Sequence, residues 1–475
     1  MEKDLPILQS RIHEALQDRQ LQANLEKNLK RSSRGTQRER IIQSTPDWER
    51  LREYGRQVKE HTLGRLPEYL EELEKNVVSL GGKVIWAQDA EHARNFILQL
   101  IRDRDIRSVV KSKSMTTEEI SLNPALEREG TRVVETDLGE YIVQIAGQKP
   151  SHILGPSVHL SKDQISDLFY RKHGPPKLSR AEELTAQARQ RLRQEFLRAD
   201  MGITGVNFGI ADSGTLVLIE NEGNILLTVS KPRIHVAIMG IEKVIPRLEH
   251  LPNFLKLLIY SASGQRISSY VHLVSGPRRP GEIDGPEELY LILLDNGRSR
   301  ILSDPFLAQT LSCIRCGACL NSCPVYQNVG GHAYASTYQG PIGAILTPQL
   351  ESLEAAPDHP FASSLCGACG EVCPVKIEIP QILLKLREKI RLGKDRKSGS
   401  IQLQKLAFQI WVWCMQRPER VAGVRRMIRI GQKILLRKGH RFPPVPFLRR
   451  WMRYHELPGF PEKTFREMYA EREGS

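Results

Sequence analysis

Between about residues 65 and 300 short apolar runs alternate with helix-length amphipathic segments, which predicts an α/β domain with a largely parallel sheet. Strand signals then fade, and seven of the eight cysteines crowd between 313 and 373. The short helical segments around them, broken by Gly and Pro, predict a helical metal-binding domain over 301–395. Charge is the third observation. Residues 401–475 hold 16 Lys or Arg against 6 Glu and no Asp, so +10 of the net +14 lies in a basic, helical C-terminal extension starting at 396.

Taken in order, residues 1–64 read as a polar, helical N-terminal arm with a flexible break at Lys30-Arg31-Ser32-Ser33-Arg34-Gly35. Residues 66–80 have helical period, and Gly81-Gly82 stops that helix before the apolar run Val84-Ile85-Trp86. A helical stretch ending near Asp103 leads to the strand Ser108-Val109-Val110. A helix is expected at Met115-Thr116-Thr117-Glu118-Glu119, with Thr116 as cap and Glu119 at the third position. Val133-Val134 and Tyr141-Ile142-Val143 read as strands. The runs 215–219 and 225–229 flank Glu220-Asn221-Glu222-Gly223-Asn224, a strand–turn–strand signal. Residues 235–239 read as a buried strand. The end of the chain is helical, then Pro-rich at Pro443-Pro444-Val445-Pro446.

The bulk numbers exclude several classes. With 40% hydrophobic and 26% charged residues in 475, this is a multi-domain globular chain. The N-terminus carries charges of both signs and no apolar core, so no secretory signal is expected. The longest apolar stretch, 406–415, contains Gln409 and is about half of what a membrane span needs. The expectation is a soluble, cytoplasmic protein with at most peripheral membrane contact. No zinc-finger or RNA-recognition signature accompanies the basic tail, so nucleic acid is not expected; a partner-protein surface is, with a plain solvated helix face as the alternative.

The cysteines form two motifs, Cys313-x2-Cys316-x2-Cys319-x3-Cys323-Pro324 and Cys366-x2-Cys369-x3-Cys373-Pro374. The first is the run of bacterial two-cluster ferredoxins, whose fourth cysteine ligates the other cluster. Three thiolates at gaps of two wrap one face of a cube, and the fourth points away from the start of the next helix. The prolines fix a turn, and Gly317 and Gly367 let the backbone come close to inorganic sulfide. Zinc would pair two knuckles with four ligands each, and seven cysteines do not divide that way. Cross-ligation gives Cys313, Cys316, Cys319 and Cys373 to one [4Fe–4S] cluster. Cys323, Cys366 and Cys369 go to a second that is one thiolate short. Ser363 stands where the missing cysteine would be. The second cluster is therefore a [4Fe–4S] completed by Ser363, water or substrate, or a [3Fe–4S], or it recruits Cys414. Cys414, between Trp413 and Met415, otherwise reads as a buried inert thiol. His332 could ligate or relay protons, but a hydrogen-bonded structural histidine is the plainer expectation.

At these residues the chain resembles the lactate utilisation protein B family, an iron–sulfur member of a three-protein bacterial system oxidising L-lactate to pyruvate. The resemblance covers most of the chain. It rests on Lys111-Ser112-Lys113-Ser114-Met115-Thr116-Thr117-Glu118-Glu119 and Gly205-Val206-Asn207-Phe208-Gly209-Ile210-Ala211-Asp212-Ser213-Gly214-Thr215. Further matches are the stretch from Cys323-Pro324-Val325-Tyr326-Gln327 through Ile345-Leu346-Thr347-Pro348 and the 385–475 tail. It implies that residues 65–300 form a LUD-type domain, similar to the sugar-phosphate isomerase and CoA-transferase class, shared with lactate utilisation protein C. It implies that 301–395 form a helical 2x[4Fe–4S] domain similar to the two-cluster ferredoxins of respiratory dehydrogenases. The same seven cysteines serve as ligands in the family, and lactate utilisation proteins A and C are the implied partners.

A second site is expected in the α/β domain. Asp212, Ser213 and Thr215 precede a strand where a ligand crevice commonly lies, and Lys111 and Lys113 follow another strand end and could hold lactate's carboxylate. The plain alternatives are a common Asp-Ser-Gly turn and solvated lysines. Neither a P-loop nor a G-x-G-x-x-G run is present, so no tightly bound nucleotide or flavin is expected. The leading function is the electron-transfer subunit of an L-lactate-oxidising complex. An iron–sulfur subunit for glycolate or a heterodisulfide is the second, and a cluster-dependent sensor or binding protein the third.

Overall fold

The computed structural model describes residues 7–30, 33–395, 402–435, 463 and 465–473. These fall into two units, residues 1–390 and 391–475. Ten strands lie in the first: β1 (Lys83–Ala87), β2 (Ser108–Lys111), β3 (Arg132–Glu135), β4 (Met201–Gly205), β5 (Phe208–Ile210), β6 (Thr215–Glu220), β7 (Ile234–Gly240), β8 (Val244–Ile245), β9 (Tyr270–Val274) and β10 (Glu288–Leu294).

Six of them make a sheet of order β1-β10-β7-β4-β2-β3 in which every pair is parallel. Its central strands bury both faces. Along β10, Tyr290, Ile292 and Leu294 enter one apolar cluster, and Leu289, Leu291 and Leu293 the other. That two-sided burial explains why these strands read as continuous apolar runs. The other four strands make a smaller mixed sheet, β8-β5-β6-β9. Leu216 and Leu218 of β6 pack towards the parallel sheet, while Val217, with Phe208 and Ile210 of β5, packs into the core that also holds the cysteines. The small sheet is thus a spacer between the α/β layers and the thiols.

Three local expectations are corrected. Residues 138–145 form a helix (Leu138–Ile145), because Asp137 accepts the Glu140 N–H and caps it. Residues 224–230 form a helix (Asn224–Ser230) where a strand was expected. The Glu220 carboxylate accepts the N–H groups of Ile225 and Leu226 at 2.8 and 3.0 Å, so the turn charge satisfies a helix start. The helix Met115–Glu119 is capped by Ser114, which accepts the Thr117 N–H, and Thr116 lies inside it.

The polar N-terminal segment is helical over 7–17, 19–30, 33–43 and 48–64, and its sparse apolar residues Leu8, Ala15, Trp48 and Val58 join the cysteine core. Its arginines reach further. Arg38 donates to the Val372 carbonyl, and Arg52 to those of Glu371 and Cys373, at 2.7 to 3.0 Å. In the second unit the helices Gln402–Met415 and Pro418–Leu435 leave Trp411, Trp413 and Met415 exposed. Cys414 is half-buried there, where a buried thiol was expected. Among the described residues no helix is long and apolar enough to cross a membrane.

Candidate metal centre

Each cysteine motif uses the same backbone device. Arg315 and Leu365, just before Cys316 and Cys366, hold left-handed φ values of 61° and 56°. Gly317 and Gly367, just after, hold 72° and 90° and open the short helices Ala318–Ser322 and Ala368–Glu371. Two left-handed residues around one cysteine curl the chain and turn N–H groups inward. Arg315 N donates to Cys313 Sγ at 3.4 Å, Tyr326 N to Cys323 Sγ at 3.5 Å and Ile377 N to Cys373 Sγ at 3.3 Å. Pro324 begins the helix Pro324–Val329, which Cys323 itself caps.

The thiols fall into two groups. Cys313, Cys316, Cys319 and Cys373 line one enclosed space walled by Ile153, Ile314, Ile342 and Val375. Cys323, Cys366 and Cys369 sit near enough to act on one another's charge. Burial pushes Cys319 well above the ordinary thiol value and Cys373 to about 11, with the neighbouring sulfurs adding to it. Cys369 is likewise raised to about 11 by burial. Exposed Cys366 is lowered, chiefly by the Ala368 N–H and then by the Ser364 hydroxyl. Clustered sulfurs with inward N–H donors and apolar walls suit thiolates that share a multiply charged centre.

Behind the first group lies a buried ion network. Arg298 donates to Glu119 at 2.8 Å and to Glu242 at 2.6 Å, and Arg315 donates to Glu242 at 3.1 Å. Lys59 Nζ donates to the Glu242 carbonyl, and Tyr338 Oη to Glu119. Burial works to raise Glu242, yet Arg298 and Arg315 hold it down to about 2. Burial lowers Lys59 and Lys243 to about 8. Four cations against two carboxylates leave surplus positive charge beside the Cys313 sulfur. Of these residues the sequence singles out Glu119 alone, as the third position of a capped helix and as the end of the stretch Lys111–Glu119 that carries the resemblance. An arginine inside a tight cysteine run and Glu242-Lys243 directly after a fully buried strand were the available signals.

The other candidates separate. Lys111 is fully buried with its own partners, Glu135 at 2.7 Å, Glu118 at 3.4 Å and Thr117 at 2.8 Å. Lys113 is half-buried, donates to the Leu154 carbonyl at 3.0 Å and lines a cavity at the carboxyl ends of the strands. Asp212 is exposed. Ser213 donates to Thr215, which bonds Ser275, and none of the three lines that cavity. Ser363 Oγ accepts the Leu365 N–H at 3.1 Å. His332 bonds the Lys149 carbonyl at 2.7 Å.

Comparison with known proteins bears on the same regions. Residues 70–294 match the LUD domain, and residues 309–377 match the 4Fe-4S dicluster domain, which assigns two [4Fe–4S] clusters to the stretch holding all seven thiols. A Lactate utilization protein B from Shouchella clausii is 47% identical over 80% of this chain and 80% of its own. Those from Geobacillus kaustophilus (42%, 91% and 90%) and Bacillus cytotoxicus (44%, 92% and 91%) extend further. A solved duf162 family protein from Deinococcus radiodurans aligns with 48% of this chain and 98% of its own at 14% identity, with a TM-score of 0.28.

Proposed function

This chain belongs to the lactate utilization protein B family, and from that premise we propose that it is the electron-carrying subunit in oxidation of L-lactate to pyruvate. One observation carries this: four thiols line one apolar-walled space, and of the three others Cys323 and Cys369 are buried in the same core and Cys366 is exposed. Each [4Fe–4S] cluster takes up and releases one electron, so two of them match a two-electron oxidation that also frees two protons.

The residues divide the remaining work. Cys313, Cys316, Cys319 and Cys373 hold one cluster, and Cys323, Cys366 and Cys369 the other, whose fourth position is not a cysteine. Ile153, Ile314 and Ile342 keep water from the first. The surplus cations near Cys313 favour the extra negative charge of the reduced form. Exposed Cys366 marks where a partner docks, with lactate utilisation proteins A and C as partners in the cytoplasm.

Anaerobic purification with both partners, followed by L-lactate addition, tests this. Expected are EPR signals from two reduced centres and one pyruvate per lactate consumed. Centres that stay oxidised in the complete assembly would refute it.

A further inference from the structure

The cavity that Lys113 lines has a volume of about 320 Å3, within the range of small-molecule sites. It opens at the carboxyl ends of β2 and β4. The chain runs outward from β2 to β3, then returns to place β4 on the other side of β2, so the strand order reverses there. Open parallel sheets bind ligands at such a reversal. Arg315 and Ile153 line both this cavity and the enclosure of Cys313, Cys316, Cys319 and Cys373, so one layer of side chains separates the two.

Its charges are arranged for a particular ligand. Arg315 is 8% exposed, lies over the Tyr338 ring, and has the Glu242 carboxylate and the Cys313 sulfur as charged neighbours, while its Nη1 is buried with no oxygen or nitrogen partner. A buried guanidinium nitrogen without an acceptor is costly unless something supplies one. Lys243, held by the Val206 carbonyl at 3.1 Å, lines the same wall. Lys113, Asp137 and Glu222 line the cavity as well, with Lys113 Nζ 3.9 Å from Asp137. Glu220 is already engaged by the Ile225 and Leu226 N–H groups and by His272.

We propose that this cavity binds a small 2-hydroxy or 2-oxo monocarboxylate, its carboxylate on Arg315 and Lys243 and its 2-oxygen towards Lys113 and Glu222. The assignment rests on the electron-transfer reading above and names where that reading's substrate or product sits.

Isothermal titration calorimetry on the full chain, purified anaerobically with both clusters, tests it using L-lactate, pyruvate, propionate and inorganic phosphate. Lactate or pyruvate should bind saturably, and propionate, which lacks the 2-oxygen, roughly tenfold more weakly or worse. Lys113→Met should weaken pyruvate binding roughly tenfold with iron content and visible absorbance unchanged; Glu222→Gln should narrow the gap between lactate and propionate. No saturable binding by iron-replete wild type, binding unaltered in both variants, or phosphate binding as tightly as pyruvate would overturn the site. Lactate-driven cluster reduction that persists at wild-type rate in Lys113→Met would overturn it too, leaving the electron-transfer reading intact. Binding that follows the expected pattern without any reduction in the full assembly would keep the cavity and sink that reading.

Discussion

The two thiol groups come from one duplicated motif yet differ at one member, Cys366, since Cys323 and Cys369 of its group are buried. Cys316, Cys319 and Cys373 are buried against apolar walls with Arg315, Lys243 and Lys59 close behind, whereas Cys366 is exposed and its sulfur meets the Ser364 hydroxyl. Identical left-handed turns make both, so the difference lies in what packs against them. The N-terminal helices reach the far end of the second motif through Arg38 and Arg52, yet its first cysteine, Cys366, is left at the surface. Potentials of such centres follow hydrogen bonds, nearby charge and solvent exposure, so the two centres we propose should differ in potential.

The widest separation should appear on removing one thiol from each group. Cys319→Ser places a hydroxyl in the apolar enclosure and should cost about half of the iron or more, together with stability. Cys366→Ser should leave the sheltered centre filled. Iron and sulfide content with EPR decides, and Cys366→Ser emptying both centres would erase the proposed independence.

The ion network is the next largest lever. Arg298→Met strips Glu119 and Glu242 of their shared partner and should destabilise by about 3–5 kcal/mol, whereas breaking the exposed pair Lys385–Glu388 should hardly register. Urea titration measures both. Acid should act on the same point. The folded value of Glu242 lies below the ordinary 4.5, so its contribution is present above 4.5 and fades as pH falls towards about 2. Glu242→Gln should flatten that part of the stability profile.

Smaller still is the clamp from the N-terminal segment. Arg52→Ala removes donors to the Cys373 and Glu371 carbonyls and should cost about 1.5–3 kcal/mol. Its effect belongs with the sheltered group, which Cys373 joins, so the EPR signal of the exposed centre should not change.

How far the sequence reached follows from where information is local. The cysteine spacing, the turn glycines and the apolar run of β7 act over a few residues, and the parallel sheet and the stretch that holds two clusters were legible from them. Residues 225–229 looked like a strand because Ile, Leu and Val are also good strand formers; the deciding contact, the Glu220 carboxylate on two N–H groups, emerges only once the turn folds. The N-terminal segment read as an arm because its composition is polar, yet Arg38 and Arg52 dock on carbonyls some 320 to 334 residues away. Lys111 and Lys113 looked equivalent in one motif. The strand ends at Lys111, whose side chain turns inward to Glu135, while Lys113 lies beyond it on the loop that borders the cavity.

The finest contrast lies between adjacent serines. Ser363 occupies the place of an absent cysteine, but its hydroxyl accepts the N–H of Leu365 and so supports the left-handed turn before Cys366. Ser364, one residue on, is the hydroxyl that acts on the Cys366 sulfur. Ser363→Ala should therefore cost about 0.5–1.5 kcal/mol and leave iron content unchanged. Ser364→Ala should also keep its iron but lower the potential of the exposed centre, because a hydrogen bond to sulfur stabilises the reduced state. Redox titration followed by EPR separates them. Iron lost from Ser363→Ala alone would make Ser363 the fourth ligand and bring the exposed group closer to the sheltered one than the folded turn indicates.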